Sequence, residues 1–524
     1  MRFYIQSAKT KKGDVWSAQV PFTIIGRTAR LYNEPKHKRV MKLTDLKPEG
    51  VWRHFEAMTH IPRPSHHEAE IRQYIIDFAA AQGLECEVDE ANNVLVRKPA
   101  TAGMENRRTV VIQAHLDMVP QKNNDKVFDF EKDPIEAYVD GEWVTANGTT
   151  LGADNGIGAA AILAVLESKD LAHGAIEALF TATEETGMDG AFGLKAGWLE
   201  GRTLLNLDSE TEGELYVGCA GGTDANMSMP YTTIATPADS VAYKVEVKGL
   251  KGGHSGIEII LDRANANKLM FRLVRKAQME LGLELASVDG GGLRNAIPRE
   301  AVAVVTVPAA NAEAFEALAA EMLATYKAEF KGIDDGIELN IAKTDAPAEV
   351  MATDRAVALA RAIVACPNGV ITMSKAMEGL VQTSNNFARV VTDGSCVKMQ
   401  ALTRSSVRSE KQYVSEMIRS VFELAGAEVE LSGSYDGWNP DMESPILHSM
   451  CESYEALYGV RPRIMAIHAG LECGIIGGTY PGMDMISFGP TICYPHSPDE
   501  KVNIASVAKF WDFLCNTLAN SPLK

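Results

Sequence analysis

The stretch Val110-Val111-Ile112-Gln113-Ala114-His115-Leu116-Asp117-Met118-Val119 constrains the fold most. A continuous apolar run rich in β-branched residues is how a strand buried on both faces of a parallel sheet reads. The run meets a histidine, with a carboxylate two residues on. In an open α/β sheet both then stand at the carboxyl rim, where ligands bind. A lone His-x-Asp pair is also compatible with a capped turn and a solvated acid, so its meaning depends on the ends of later strands.

Those ends repeat the theme. An expected strand over 175–181 runs into Thr183-Glu184-Glu185-Thr186-Gly187, and one over 203–207 runs into Asp208-Ser209-Glu210. Between them and the first strand lies Leu151-Gly152-Ala153-Asp154-Asn155-Gly156-Ile157-Gly158, opening an Ala-rich run over 159–166 that predicts a helix. The glycines let the backbone turn sharply, and Asp154 stands just before the positive end of that helix. A glycine-rich turn opening a helix also suits a phosphate. Here Gly-x-Gly-x-x-Gly and the P-loop Lys-Ser/Thr are missing, and an acid occupies the phosphate's place.

A chain of 524 residues is too long for one core, so two or more domains are expected. Residues 1–40 are basic, with Asp14 and Glu34 their only acids, and show no clear period. They read as an N-terminal extension, disordered or non-native, with Met41 the natural start. Val51, Phe55 and Met58 predict a helix, and Ser65 is placed to cap a second one carrying Ile71, Ile75 and Phe78 on one face. After Cys219 the pattern changes to two α+β blocks, over about 243–330 and 347–434, of similar size and element content, which suggests a duplicated substructure. From Trp438 the first style returns, through His468-Ala469-Gly470-Leu471-Glu472 and His496-Ser497-Pro498-Asp499-Glu500 to a closing helix.

The formal net charge of −18 argues against nucleic acid and anionic membranes as partners. No apolar run approaches the roughly 20 residues that span a bilayer. Eight scattered cysteines without a Cys-x-x-Cys pair fit a reducing compartment, and no secretory signal is visible, so a cytoplasmic location is expected.

Two divalent ions sharing a hydroxide need a carboxylate between them and at least one histidine and one acid on each side. His115, Asp154, Glu185, Asp208 and His496 supply such a set, with imidazole and carboxylate donors that zinc, manganese and cobalt all accept. Asp154, flanked by small residues, suits the bridging position. Asp117 is placed to accept the other imidazole N–H of His115 and hold the ring. Glu184, beside Glu185, is free to shuttle a proton.

His115-Leu116-Asp117, Gly152-Ala153-Asp154-Asn155-Gly156, Thr183-Glu184-Glu185-Thr186-Gly187, Asp208-Ser209-Glu210 and Pro495-His496-Ser497-Pro498-Asp499 together resemble the successive motifs of the M20 metallopeptidases. The likeness is strongest to the bacterial aminoacyl-histidine dipeptidase group and runs from about residue 41 to the C-terminus. It implies an α/β fold: a zinc-peptidase-like catalytic domain with a mixed central sheet flanked by helices, from 41–220 and 435–524, and an inserted α+β lid over 221–434. It implies that His115 and Asp208 bind one zinc and Glu185 and His496 the other, with Asp154 bridging, Glu184 as general base and Asp117 orienting His115. His254 of the Gly-His-Ser-Gly motif would help bind the scissile carbonyl oxygen. Asn295 and Arg404 would hold substrate, Arg404 as a natural anchor for a free carboxylate, and Gly470 would line the pocket.

The implied function is hydrolysis of dipeptides, Xaa-His among them, by a water bridging two divalent ions, most simply zinc. The same ligand set serves an M20-type deacylase or amidohydrolase acting on N-acyl amino acids, and a non-catalytic binder would also keep the fold. A doubled lid would let one chain supply contacts that dimeric relatives take from a neighbour, while a homodimer through the lid is equally compatible.

Overall fold

Val110–His115 is buried along its whole length and pairs in parallel with Ile176–Thr181 on one side and Thr203–Asn206 on the other, as its mainly apolar pattern predicts. The computed structural model describes residues 41–524, so the expectation for residues 1–40 lies outside the described residues. The full sheet runs in the order Glu85–Val88, Val94–Lys98, Ile176–Thr181, Val110–His115, Thr203–Asn206, Asp484–Ser487, Glu214–Cys219, Arg463–Ile467. It is mixed, because the Val94 strand meets the Ile176 strand antiparallel while Asp484–Ser487 runs parallel to Thr203–Asn206.

Helices cover this sheet. Ala153–Glu167 is apolar all round and buried along nearly its whole length, as a helix without a polar face must be. Burying each of its large aliphatic side chains contributes roughly 1.5–3 kcal/mol. Glu49–Thr59 turns Val51, Trp52, Phe55 and Met58 inward. The next helix, Ala69–Gln82, begins later than the sequence suggests. Its N-cap position is Glu68, and Ser65 does not cap it; the Ser65 hydroxyl instead donates to Asp117 Oδ2 at 2.7 Å. The chain turns through left-handed His66 (φ 69°) before the helix starts, which carries Ser65 toward the sheet rim.

A small sheet joins the hairpin Ala137–Asp140 and Trp143–Ala146 to Ile492–Cys493 and Lys501–Asn503, with Val502 opposite Val144. This pairing fixes the C-terminal loop that carries His496 over the first sheet.

A second sheet has its own core, drawn from residues between Ala225 and Ala427, whereas the first core draws on Leu43–Cys219 and Trp438–Leu518. Its strand order shows a duplication. Ser240–Lys248, helix Ala266–Leu281, Glu284–Gly291, Ala301–Pro308, helix Ala312–Glu329 and Glu338–Thr344 make one β-α-β-β-α-β unit. Gly221–Pro230, helix Thr353–Ala365, Val381–Asp393, Cys396–Ser405, helix Arg408–Leu424 and Glu428–Tyr435 make another. Numbered within each unit, the strands lie 4-1-3-2 and then 2-3-1-4 across one continuous sheet, joined antiparallel at Glu284–Gly291 and Val381–Asp393. The first unit is inserted after the opening strand of the second. Residues 42–524 form one compact unit.

Candidate active site

The carboxyl ends of the central strands bring five side chains together. His115 Nε2 lies 3.0 Å from Asp154 Oδ1 and 3.2 Å from Asp208 Oδ1. His496 Nε2 lies 3.1 Å from Asp154 Oδ2 and 3.0 Å from Glu185 Oε2. Asp154 therefore turns one oxygen to each imidazole, although the two histidines are separated by most of the chain. His115–Asp154–Asp208 and Asp154–Glu185–His496 each gather their ligand atoms within 4.8 Å, as do His115, Glu184 and Glu185. Asn155 Nδ2 donates to Asp208 Oδ1 and holds that carboxylate in place.

Asp117 is fully buried beneath this rim. Its Oδ1 accepts the Glu184 backbone N–H at 2.9 Å, and its Oδ2 accepts that of Glu185 at 3.1 Å and the Ser65 hydroxyl at 2.7 Å. His115 Nδ1 stands 3.3 Å from Oδ1. One carboxylate thus joins the His115 strand end to the turn bearing both glutamates, and burial opposed by these donors leaves it lowered to about 2.

Acids crowd this space. Burial drives Glu184 well above the ordinary carboxyl range, with Asp208 and Glu185 adding to the rise. Burial likewise carries Asp208 to about 6, Glu210 to about 8 and Glu472 to about 7. Glu185 Oε1 is buried with no hydrogen-bond partner. Buried carboxylates massed against so few positive groups need compensating charge. An orphaned carboxylate oxygen beside imidazole and carboxylate donors fits divalent cations.

The residues expected to hold substrate lie on the second sheet and its loops. His254 pairs with Ala296 on a short ladder, which sets Asn295, an exposed residue, beside it. His254 Nδ1 accepts the N–H groups of Gly256 and Ile257, each at 3.1 Å. Its hydrogen therefore sits on Nε2, and burial, with Arg404 adding to it, lowers its pKa and favours the neutral ring. Arg404 is 6% exposed and its Nε has no partner. Gly470 leaves room that a Cβ would close, at 2.9 Å from Tyr435 Oη and 3.2 Å from Met188 Cε. Among the described residues no hydrogen bond or ion pair joins His254, Asn295 or Arg404 directly to the acid cluster. The link runs through Met188, which ends the Glu184–Gly187 turn, to Gly470 and Tyr435, beside Arg404.

Several residues here have no role assigned from the sequence. Glu472, fully buried, accepts Gln113 Nε2 at 2.6 Å and Thr181 Oγ1 at 2.8 Å beneath the ligand cluster. His468 sets Nε2 2.7 Å from Ser384 Oγ and so ties the second sheet to the first. Arg63 and Glu500 are buried charges under the Asp154 turn. A charged residue inside an apolar motif, as in Leu471-Glu472-Cys473, is the one local hint available.

A family model described as peptidase family M20/M25/M40 matches residues 111–520. The cytosol non-specific dipeptidase of Escherichia coli (strain K12) is 48% identical over 490 residues, 92% of this chain and 100% of that protein. The crystal structure of aminoacylhistidine dipeptidase from Vibrio alginolyticus superposes with a TM-score of 0.89 at 49% identity, covering 92% of this chain and 99% of that one. Aminopeptidase PepT from Bacillus cereus ATCC 10987 shares the fold alone, with a TM-score of 0.54, 15% identity and coverage of 91% and 99%. With a family model spanning most of its length and relatives about half identical from end to end, the chain belongs to peptidase family M20/M25/M40.

Proposed function

We propose that this protein is a metal-dependent dipeptidase that accepts Xaa-His dipeptides among others. The observation that carries the proposal is Asp154, whose two oxygens face His115 at 3.0 Å and His496 at 3.1 Å and so span two groups of donors. The names of the two relatives matched over nearly the whole chain support peptides of two residues as substrate.

His115 and Asp208 would hold one divalent ion and Glu185 and His496 a second, with Asp154 shared. Zinc suits these donors first, and cobalt or manganese is accepted by the same set. Bound there, the ions supply Lewis acidity, which acidifies water and polarises a carbonyl. Glu184 takes a proton from the attacking water and returns it to the leaving amine; its burial raises its proton affinity and so favours holding the proton between the two transfers. Asp117 keeps the His115 ring in place. His254 donates from Nε2 to the scissile carbonyl oxygen. Arg404, a buried guanidinium with an unpartnered Nε, takes the free carboxylate of the substrate. Asn295 and Gly470 flank the peptide, beside His254 and Tyr435 respectively.

Residues 221–434 serve as a lid over a catalytic domain formed by 41–220 and 435–524, and closure limits substrate length and excludes water. A cytoplasmic location is supported by eight unpaired cysteines. No helix of the described residues is long and apolar enough to cross a membrane.

A panel of Xaa-His, other dipeptides, tripeptides and N-acetyl amino acids, assayed with chelator and after zinc is restored, tests the proposal. Dipeptides should be cleaved fastest, with activity lost to chelator and regained with zinc. Faster release from N-acetyl amino acids than from any dipeptide would move the protein to the deacylases.

A further inference from the structure

Two buried charges of opposite sign hold the turn over 151–154, and neither is among the ligand candidates. Glu500 is 2% exposed. Its Oε2 accepts the backbone N–H of Leu151 at 2.8 Å and of Gly152 at 3.0 Å. Its Oε1 accepts those of Ala153 at 2.7 Å and Asp154 at 3.3 Å. Successive amides converging on one point make an anion-binding nest, so the glycine-rich turn does bind an anion. That anion is the chain's own carboxylate.

Arg63, 1% exposed, works on the opposite side of the same turn. Its Nη2 donates to the Gly152 carbonyl at 2.5 Å, and its Nη1 to the carbonyls of Leu116 at 2.9 Å and Asp117 at 3.1 Å. The glycines make room for it: a Cβ on Gly152 or Gly156 would lie 2.6 Å from Nη2. The planar guanidinium reaches both turns at once, which a single ammonium cannot do with the same geometry.

All seven of these hydrogen bonds end on backbone atoms of residues 116, 117 and 151–154. These residues immediately follow His115 or lead into and include Asp154. Glu500 itself follows His496 by one turn of loop, so the same carboxylate registers the C-terminal ligand against the central one.

Resting on the two-ion site proposed above, we infer that Arg63 and Glu500 are positioning residues that fix His115, Asp154 and His496 relative to one another before any cation binds. The pair touches the backbone that aims the ligands and leaves the ligand atoms free. Its removal therefore acts on cation affinity ahead of substrate affinity. Outer residues that orient ligands typically govern metal affinity by about 10–100-fold.

The test uses the full chain, stripped with chelator, as Glu500→Gln and separately as Arg63→Lys. Glutamine keeps the shape but offers one acceptor oxygen and an amide N–H₂ to four backbone donors. Lysine keeps the charge and loses the fork. Zinc is titrated calorimetrically for affinity and stoichiometry, cobalt absorption reports ligand geometry, circular dichroism reports the fold, and dipeptide kinetics are read at saturating zinc. The zinc Kd of Glu500→Gln should rise about 10–100-fold, with a smaller rise in Arg63→Lys and an altered cobalt spectrum in both. KM at saturating zinc should stay within about twofold, with kcat recovering as zinc is added.

Folded variants that bind two ions with the parent's affinity overturn the inference. A variant that folds only when zinc is present supports it. One that fails to fold even in saturating zinc overturns it, because the pair then serves the fold alone. If the parent chain binds no divalent ion, the two-ion site falls and takes this inference with it; parent binding with unaffected variants removes the inference alone.

Discussion

Replacing Asp117 with asparagine changes one oxygen to an N–H₂ group at nearly constant shape, and the surrounding donors determine the cost. Oδ1 faces the Glu184 N–H at 2.9 Å and His115 Nδ1 at 3.3 Å, whereas Oδ2 faces the Glu185 N–H at 3.1 Å and the Ser65 hydroxyl at 2.7 Å. With the amide oxygen in the Oδ1 position, the N–H₂ meets the Glu185 N–H, and Ser65 can turn to accept. With the amide oxygen in the Oδ2 position, the N–H₂ meets the Glu184 N–H and faces His115 Nδ1, whose hydrogen is then left to the Asp117 backbone carbonyl at 3.1 Å. Either way one buried backbone donor is orphaned, at about 1–3 kcal/mol. The second orientation also sets an amide N–H₂ against the His115 N–H, which loosens the hold on the ring.

Asp117→Asn is therefore expected to lower the unfolding free energy of the metal-free protein by about 1–3 kcal/mol in guanidinium titrations. It should also raise the zinc Kd by about 10–100-fold in calorimetry. Unchanged zinc affinity in a folded Asp117→Asn protein would refute the orienting role assigned to this carboxylate.

Glu184→Gln should lower kcat by about 10²–10⁴-fold while zinc stoichiometry holds; near-parent turnover would exclude Glu184 as the base. Arg404→Met should lower kcat/KM about 10²–10³-fold for dipeptides with a free carboxylate, as expected for loss of roughly 3–4 kcal/mol when one partner of a buried, hydrogen-bonded charge pair is removed. C-terminally amidated dipeptides should feel that substitution little, and equal losses on both substrates would remove the anchor. In the metal-free protein, burial carries Asp208 to about 6 and Glu472 to about 7, above the roughly 4 of carboxyls in an unfolded chain. The folded state then holds more protons than the unfolded state between about pH 4 and 7, so stability should fall as pH rises through that window. Saturating zinc should flatten or reverse the slope, as denaturant titrations at several pH values would show.

Much of the ligand cluster was legible because each acid or histidine follows an apolar run. His115, Asp208 and the Glu184-Glu185 pair end or follow strands that are mainly apolar and wholly buried, and Asp154 opens a helix with no polar face. Strand ends of this kind gather at one rim, so separate motifs could be read as one place. Arg63 and Glu500 were not legible. In Ile61-Pro62-Arg63-Pro64-Ser65 and Pro498-Asp499-Glu500 they look like ordinary surface charges, and the backbone groups that bury them lie 53 to 349 residues away.

The strand Val381–Asp393 is hidden in the sequence for a different reason. Gln382-Thr383-Ser384-Asn385-Asn386 has neither apolar content nor a period of two, yet it is buried. Its polar groups are paired sideways: Thr383 with Ser405 at 2.8 Å, Ser384 with His468 at 2.7 Å, Asn385 with the Pro367 carbonyl at 2.7 Å and Asn386 with that of Ala296 at 2.8 Å. Polar groups are buried when they find hydrogen-bond partners, and those partners depend on the tertiary fold; here Asn386 Oδ1 alone of the five side chains is buried without one. The duplication in the second sheet was faint in sequence for a related reason, since it is carried by strand order rather than by side-chain identity. Ser before a helical pattern usually caps it, but the intervening left-handed turn at His66 sends Ser65 to Asp117 instead.

Zinc-edge anomalous diffraction from crystals of the reloaded protein tests the central claim most directly. Two peaks are predicted, one beside each carboxylate oxygen of Asp154, the first shared with His115 and Asp208 and the second with Glu185 and His496. A single peak, or none within bonding distance of Asp154, would contradict a paired-ion centre at this rim.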